Sequence, residues 1–87
     1  MHESGLIEDL IRKIEAAARA NHGTKVTAVD LTIGAFASIE PDHLREHFEV
    51  ASVGTMAEGA ELRIQVSEDP LGPDPQHITL QSVEIET

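Results

Sequence analysis

The residues best equipped for chemistry stand first. Met1-His2-Glu3 puts a terminal amine, the His2 backbone amide and the His2 imidazole in consecutive positions. These three nitrogens can close two fused chelate rings on one divalent ion. Such a set suits a square-planar or tetragonal ion, nickel(II) or copper(II), better than zinc(II). Glu3 adds a carboxylate alongside. The competing reading is an ordinary frayed terminus, the usual state of a chain's first residues. His43 and His47 are four apart, which puts both on one face of a helix. They could share a metal, but no third ligand is evident, and a solvated or half-buried rim is the preferred reading. His22 reads as a donor at a helix C-terminus, and His77 opens a strand. No Gly-rich phosphate loop or Gly-x-Ser-x-Gly is present, so an enzyme would rest on histidines alone.

The composition narrows the partners. Sixteen acidic residues against six Lys and Arg give a formal charge of −10. That field repels nucleic acid and favours a metal ion or a cationic protein surface. There is no cysteine, hence no disulfide, thiolate site or thiol nucleophile. A structural zinc site draws on four ligands, usually including thiolates, so none is expected. No apolar stretch is long enough to span a bilayer. Nothing after Met1 resembles a leader peptide, and the expected compartment is the cytoplasm. A chain of 87 residues with only two aromatics, Phe36 and Phe48, reads as one domain over 1–87 with a core of Ile, Leu, Val and Ala.

Two helices and three strands must position the terminal tip. Leu6, Ile7, Leu10, Ile11, Ile14, Ala17 and Ala18 form one apolar stripe, which predicts a helix from Ser4 to about Ala20 with Ser4 as N-cap. Glu8–Arg12, Asp9–Lys13 and Glu15–Arg19 are acid–base pairs four apart. Gly23 is expected as the left-handed C-cap. Alternation at Val29, Leu31 and Ile33 predicts a strand over Lys25–Gly34. Glu40-Pro41 opens a second helix, with Leu44, Phe48 and Ala51 on one face and Gly54 at its close. Glu61–Val66 alternates again. Ser67–Gln76 holds Pro70, Pro73, Pro75 and Gly72 and reads as a loop. His77–Glu86 is the last strand. Its phase slips between Leu80 and Val83, which a bulge near Gln81-Ser82 reconciles. The last two strands are expected to pair as an antiparallel hairpin. The fold class is α+β: a three-stranded sheet covered on one face by two helices, in the order α-β-α-β-β.

Met1-His2-Glu3, Val29-x-Leu31-x-Ile33-Gly34, Glu40-Pro41-x-x-Leu44, Phe48-Glu49, Gly54-Thr55-x-x-Glu58-Gly59-Ala60-x-Leu62-x-Ile64 and the closing Leu80–Glu86 together resemble the HypA/HybF hydrogenase nickel-incorporation proteins. The resemblance implies a nickel(II) metallochaperone with a mixed sheet. It implies a metal site at His2 with the terminal backbone nitrogens of Met1 and His2, support from Glu3, and in some members a carboxylate that falls on Glu40 here. It implies delivery to a hydrogenase large-subunit precursor alongside a HypB-like GTPase. That family carries a zinc lobe with two Cys-x-x-Cys pairs between its last two strands. This chain has only the Pro-rich 67–76 loop there. On the second helix it has Glu46 and His47 where the family usually shows an aromatic and a small residue. Two other readings stay open: a docking module of a maturation complex that binds no metal itself, and, more remotely, a small acid–base enzyme using His43 or His47.

Overall fold

In Val29-Asp30-Leu31-Thr32-Ile33 every second side chain points to the same face. The strand that carries them, β1 (Lys25–Ile33), is the middle of the sheet. The computed structural model describes the backbone of residues 3–72 and 75–87, and the side chains of 5–72 and 75–87. It places β2 (Glu61–Val66) parallel to β1 on one side and β3 (Ile78–Glu86) antiparallel on the other. The helices are α1 (Glu3–Ala20) and α2 (Pro41–Ala51), and the expected α-β-α-β-β order holds. α1 lies over β1 and β3, α2 lies over β2, and the helices touch each other. Arg45 of α2 donates to the Leu62 carbonyl at 2.5 Å, tying α2 to β2.

The expected hairpin between the last two strands does not form, because the sheet order is β2-β1-β3. Parallel strands need a long crossover, and α2 with its flanking turns supplies one between β1 and β2. β3 then takes the remaining edge of β1. The segment after β2 therefore bridges the end of the central strand. Ser67 N–H donates to the Ile33 carbonyl at 2.9 Å, Gly34 N–H to His77 at 2.9 Å and Phe36 N–H to Pro75 at 2.6 Å.

Two bulges keep the apolar side chains on the helix-covered face. Asp30 pairs with Ser82 and Leu31 with Leu80, so Gln81 is the extra residue, as the phase slip predicts. It lets Leu80 and Val83, three apart, face the same way. A second bulge was not expected. Val26 pairs with Ile85 and Ala28 with Glu84, leaving Thr27 extra. Its hydroxyl donates to the Glu84 carbonyl at 3.2 Å. Val26 and Val29 are both fully buried as a result. They join Ile7, Leu10, Ile11, Ile14, Ala18, Leu31, Ile33, Leu44, Phe48, Ala57 and Leu62 in one core.

The ends of α1 depart from expectation in detail. The helix begins at Glu3, one residue before the expected Ser4 cap, the usual uncertainty of a helix end. Arg12 pairs with Asp9 one turn back rather than with Glu8. Glu15 accepts the Met56 N–H at 3.2 Å. At the C-terminus Gly23 N–H donates to Ala18 O at 2.7 Å and His22 N–H to Arg19 O at 3.1 Å. These are the two bonds of a Schellman motif, whose left-handed residue precedes its last donor. That residue is His22, at φ 61°, not Gly23. Gly23 serves packing instead. A Cβ there would lie 2.9 and 3.0 Å from Cδ1 and Cβ of Ile85, and 3.1 Å from the Ala18 carbonyl. Gly23→Ala is therefore expected to destabilise the domain by about 1–3 kcal/mol, the range for overpacking. Thermal unfolding should show a Tm several degrees lower; an unchanged Tm would mean that Ile85 yields at no cost.

Candidate metal centre

α1 begins at Glu3, the residue that follows Met1-His2 in the sequence. Met1, His2 and the side chain of Glu3 lie outside the described residues. Glu40 is described. It is exposed and extended, at φ −86° and ψ 143°, in the N-cap position of α2. Its carbonyl accepts Leu44 N–H at 3.0 Å. Its carboxylate makes no capping bond to the helix, so the side chain is not committed to its own helix.

One turn beyond Glu3, α1 and α2 enclose a groove lined by Ile7, Glu8, Glu46, His47, Val50 and Ala51. The groove is apolar at its base, where Ile7 is buried, and carries two carboxylates and an imidazole. The sequence patterns did not reveal it, because it depends on how two helices cross. Glu40 is not among its lining residues. It stands about 9 Å along the α2 axis from Glu46, from six residues of helical rise. His43 is exposed and His47 half-buried. Their rings share the expected helix face, with centroids 4.6 Å apart and planes at 48°. Among the described residues, no three His, Cys, Asp or Glu side chains converge as a metal-binding group.

The uncovered face of the sheet gathers acids from all three strands. Arg63 of β2 binds Glu84 of β3 and, at 2.6 Å, its neighbour Glu61; Asp30 of β1 lies 3.6 Å away. Ser82 Oγ donates to Asp30 at 2.6 Å. Glu84 first and then Glu61 raise the Arg63 pKa above its ordinary value. Arginine is charged at any relevant pH regardless, so this arrangement laces three strands together and does no proton chemistry.

The Gly54–Ala60 segment is also structural. Gly54 and Gly59 adopt φ 82° and 77°, the left-handed region open to glycine. Glu58 accepts Gly54 N–H at 2.7 Å, and Thr55 Oγ1 donates to the Ser52 carbonyl at 2.7 Å. Met56 O accepts Val26 N–H at 2.9 Å, and Ala57 is fully buried. The turn docks the end of α2 against the start of β1.

The described residues thus supply a helix that starts at Glu3 and no converging group of three or more His, Cys, Asp or Glu side chains. A family profile described as hydrogenase/urease nickel incorporation, metallochaperone, hypA matches residues 1–70. The chain belongs to the HypA family. A hydrogenase maturation factor HypA of Azorhizobium caulinodans is 50% identical over 62 residues, which are 71% of this chain and 55% of that protein. One from Acidithiobacillus ferrooxidans is 45% identical over 64 residues, 74% of this chain and 57% of that one. The chain spans little more than half the length of these curated relatives. The solution structure of the Ni metallochaperone HypA from Helicobacter pylori superposes with a TM-score of 0.81 at 20% identity, covering 98% of this chain and 97% of that one. At that identity the likeness concerns the fold. The profile match stops at residue 70, inside the bridge between β2 and β3.

Proposed function

We propose that this HypA-family domain carries nickel(II) as cargo on its N-terminal tip and delivers it to a hydrogenase precursor during maturation. The ligands are the Met1 amine, the His2 backbone amide and the His2 imidazole. Glu3 and Glu40 supply the carboxylates nearest in role. A HypB-like GTPase is the partner in delivery. The observation that carries this reading is the family match, which begins at residue 1 and so includes Met1-His2-Glu3. The described helix start at Glu3 supports it, because a fixed base limits the freedom the tip must lose on closing around a metal. The domain acts as a carrier rather than a catalyst. No described helix is long and apolar enough to cross a membrane, and the cytoplasm, where a precursor would be met, is the proposed compartment. Residues 1–87 work as one nickel-binding unit, with 67–76 standing where the family resemblance implies a zinc lobe.

The test is calorimetric titration of nickel(II) into the protein and its His2→Ala variant. Tight binding should be lost in the variant while circular dichroism and Tm stay the same, because the buried stripe starts only at Ile7. Equal binding by the two proteins would overturn the reading and leave a docking module. A strong chelator added to the protein as purified should leave its Tm unchanged, since no structural zinc is proposed; a drop of several degrees would mean that the histidines hold a structural metal.

A further inference from the structure

We propose that the outer edge of β3 is a self-pairing surface, on which a second copy of this chain adds its own β3 antiparallel, about a two-fold axis between Gln81 and Ser82. Among the described residues β3 pairs only with β1, so its other edge presents main-chain groups with no strand beside them. Successive strand residues turn those groups alternately to one side and the other. The carbonyls of Glu84 and Glu86 face β1, accepting Thr27 Oγ1 at 3.2 Å and Thr24 N–H at 2.8 Å, and that of His77 accepts Gly34 N–H at 2.9 Å. By that alternation Val83 and Ile85 face outward after the bulge, and Ile78 and Leu80 face outward before it. Val83, Ile85, Ile78 and Leu80 lie opposite Val29, Val26, Ile33 and Leu31 of β1, which are buried. Their side chains therefore stand on the helix-covered face.

The Gln81 bulge decides which strand fits this edge. It breaks the inward phase of two, so a regular strand laid along β3 would match one half and turn the wrong face to the other. A second β3, run antiparallel, carries the same break at the same place. Ile78 then falls opposite the second copy's Ile85 and Leu80 opposite its Val83. Each pair exchanges two main-chain hydrogen bonds and covers apolar side chains. Leu80, Val83 and Ile85 border a groove with Ala17 and Asn21 of α1, which the second copy's apolar row closes. On the open face Thr79 falls opposite Glu84. Gln81 meets Ser82 at the axis, and His77 lies opposite Glu86. A net charge of −10 opposes the meeting of any two copies, but in this register no acid of β3 stands opposite another acid. The contact is isologous: every pair occurs twice and the dimer closes on itself.

Sedimentation velocity of the full chain, from micromolar to millimolar protein, tests the proposal. A concentration-dependent dimer is expected. Thr79→Lys should strengthen it about tenfold and Thr79→Glu weaken it about tenfold, because each change faces Glu84 of the other copy and is made twice about the axis. Within one copy the two positions are roughly 17 Å apart along the strand, so the effect is intermolecular. The same changes at Ser38, exposed between β1 and α2, alter the net charge equally and should move the dimer much less. Amide exchange gives a readout without substitution. The N–H groups of Ile78, Leu80, Val83 and Ile85 should exchange more slowly as protein concentration rises, while that of Thr79, which faces β1, keeps its rate. A chain that stays monomeric at millimolar concentration would overturn the proposal and leave the edge to a different strand. A dimer indifferent to residue 79, or one that leaves the outward amides unprotected, would overturn it by placing the interface elsewhere.

Discussion

Replacing residues 67–77 with a two-residue Asn-Gly turn will unfold the domain. That turn joins neighbouring antiparallel strands. Val66 and Ile78 are not neighbours: both pair with Ile33, one from each side. They stand two interstrand spacings apart, about 9.5 Å. Two extended residues reach little further, about 11 Å over three Cα–Cα steps, and the straight path is occupied by the chain leaving β1 through Gly34. A hairpin could close only if β3 left β1 for the outer edge of β2. Leu80, Val83 and Ile85 would then abandon the core they pack against. A Gly/Ser linker of the native eleven residues should behave quite differently. Leu71, the one large apolar residue of 67–76, is 94% exposed and contributes nothing to the core. Loop closure depends only logarithmically on length, so this linker should cost no more than about 1 kcal/mol. Urea unfolding followed by circular dichroism compares the two replacements. A cooperative transition of native stability in the two-residue version would contradict the β2-β1-β3 order.

The same contrast shows which features were readable from sequence. The Gln81 bulge was legible because an inward phase of two breaks between Leu80 and Val83. Val26 and Val29 carry the same three-residue signal. It went unread because the alternation at Val29, Leu31 and Ile33 already explained a strand, and the bulge at Thr27 lay just outside it. The hairpin was expected from chain proximity alone. It lost to the crossover through α2, which puts β2 parallel to β1 and leaves the opposite edge for β3. Gly23 was correctly marked as a position needing glycine, but for the wrong reason. The requirement comes from Ile85, at the other end of the chain, while His22 takes the left-handed turn. Such contacts have no local signature.

The candidate site divides in the same way. An amine, an amide and an imidazole within two residues form a chelate by covalent proximity, so the pattern at Met1-His2 can be read without any fold. The HypA turn Gly54–Ala60 was equally visible as a motif. Its meaning was not: its bonds to Ser52 and Val26 show a structural joint between α2 and β1. The spacing of His43 and His47 was visible too, and it accounts for their ring contact; the groove beside His47 depends on the setting of α2 against α1.

A tag fused ahead of Met1 will abolish tight nickel binding and leave the fold intact. The proposed ligand set needs the Met1 amine, and an amine converted to a peptide bond no longer offers its lone pair. One fused ring is then lost, and the His2 imidazole is left as an isolated ligand. The loss should exceed the ~10–100-fold that follows when a ligand merely loses its hydrogen-bonding partner. Stability should not follow affinity, because the apolar positions that anchor α1 begin at Ile7 and reach Ala18, well inside the helix. Coordination also requires a neutral imidazole and releases protons, so affinity for the untagged protein should fall on acidification. Copper(II) should bind the native tip more tightly than nickel(II), following the general order for divalent ions, which leaves nickel selectivity to supply and to partner proteins. Calorimetry at matched pH on tagged protein and on protein with the tag cleaved back to Met1 reads the difference directly. Equal affinity of the two forms would remove the amine from the ligand set, and binding that survives the tag but disappears with His43→Gln would place the nickel on α2 instead.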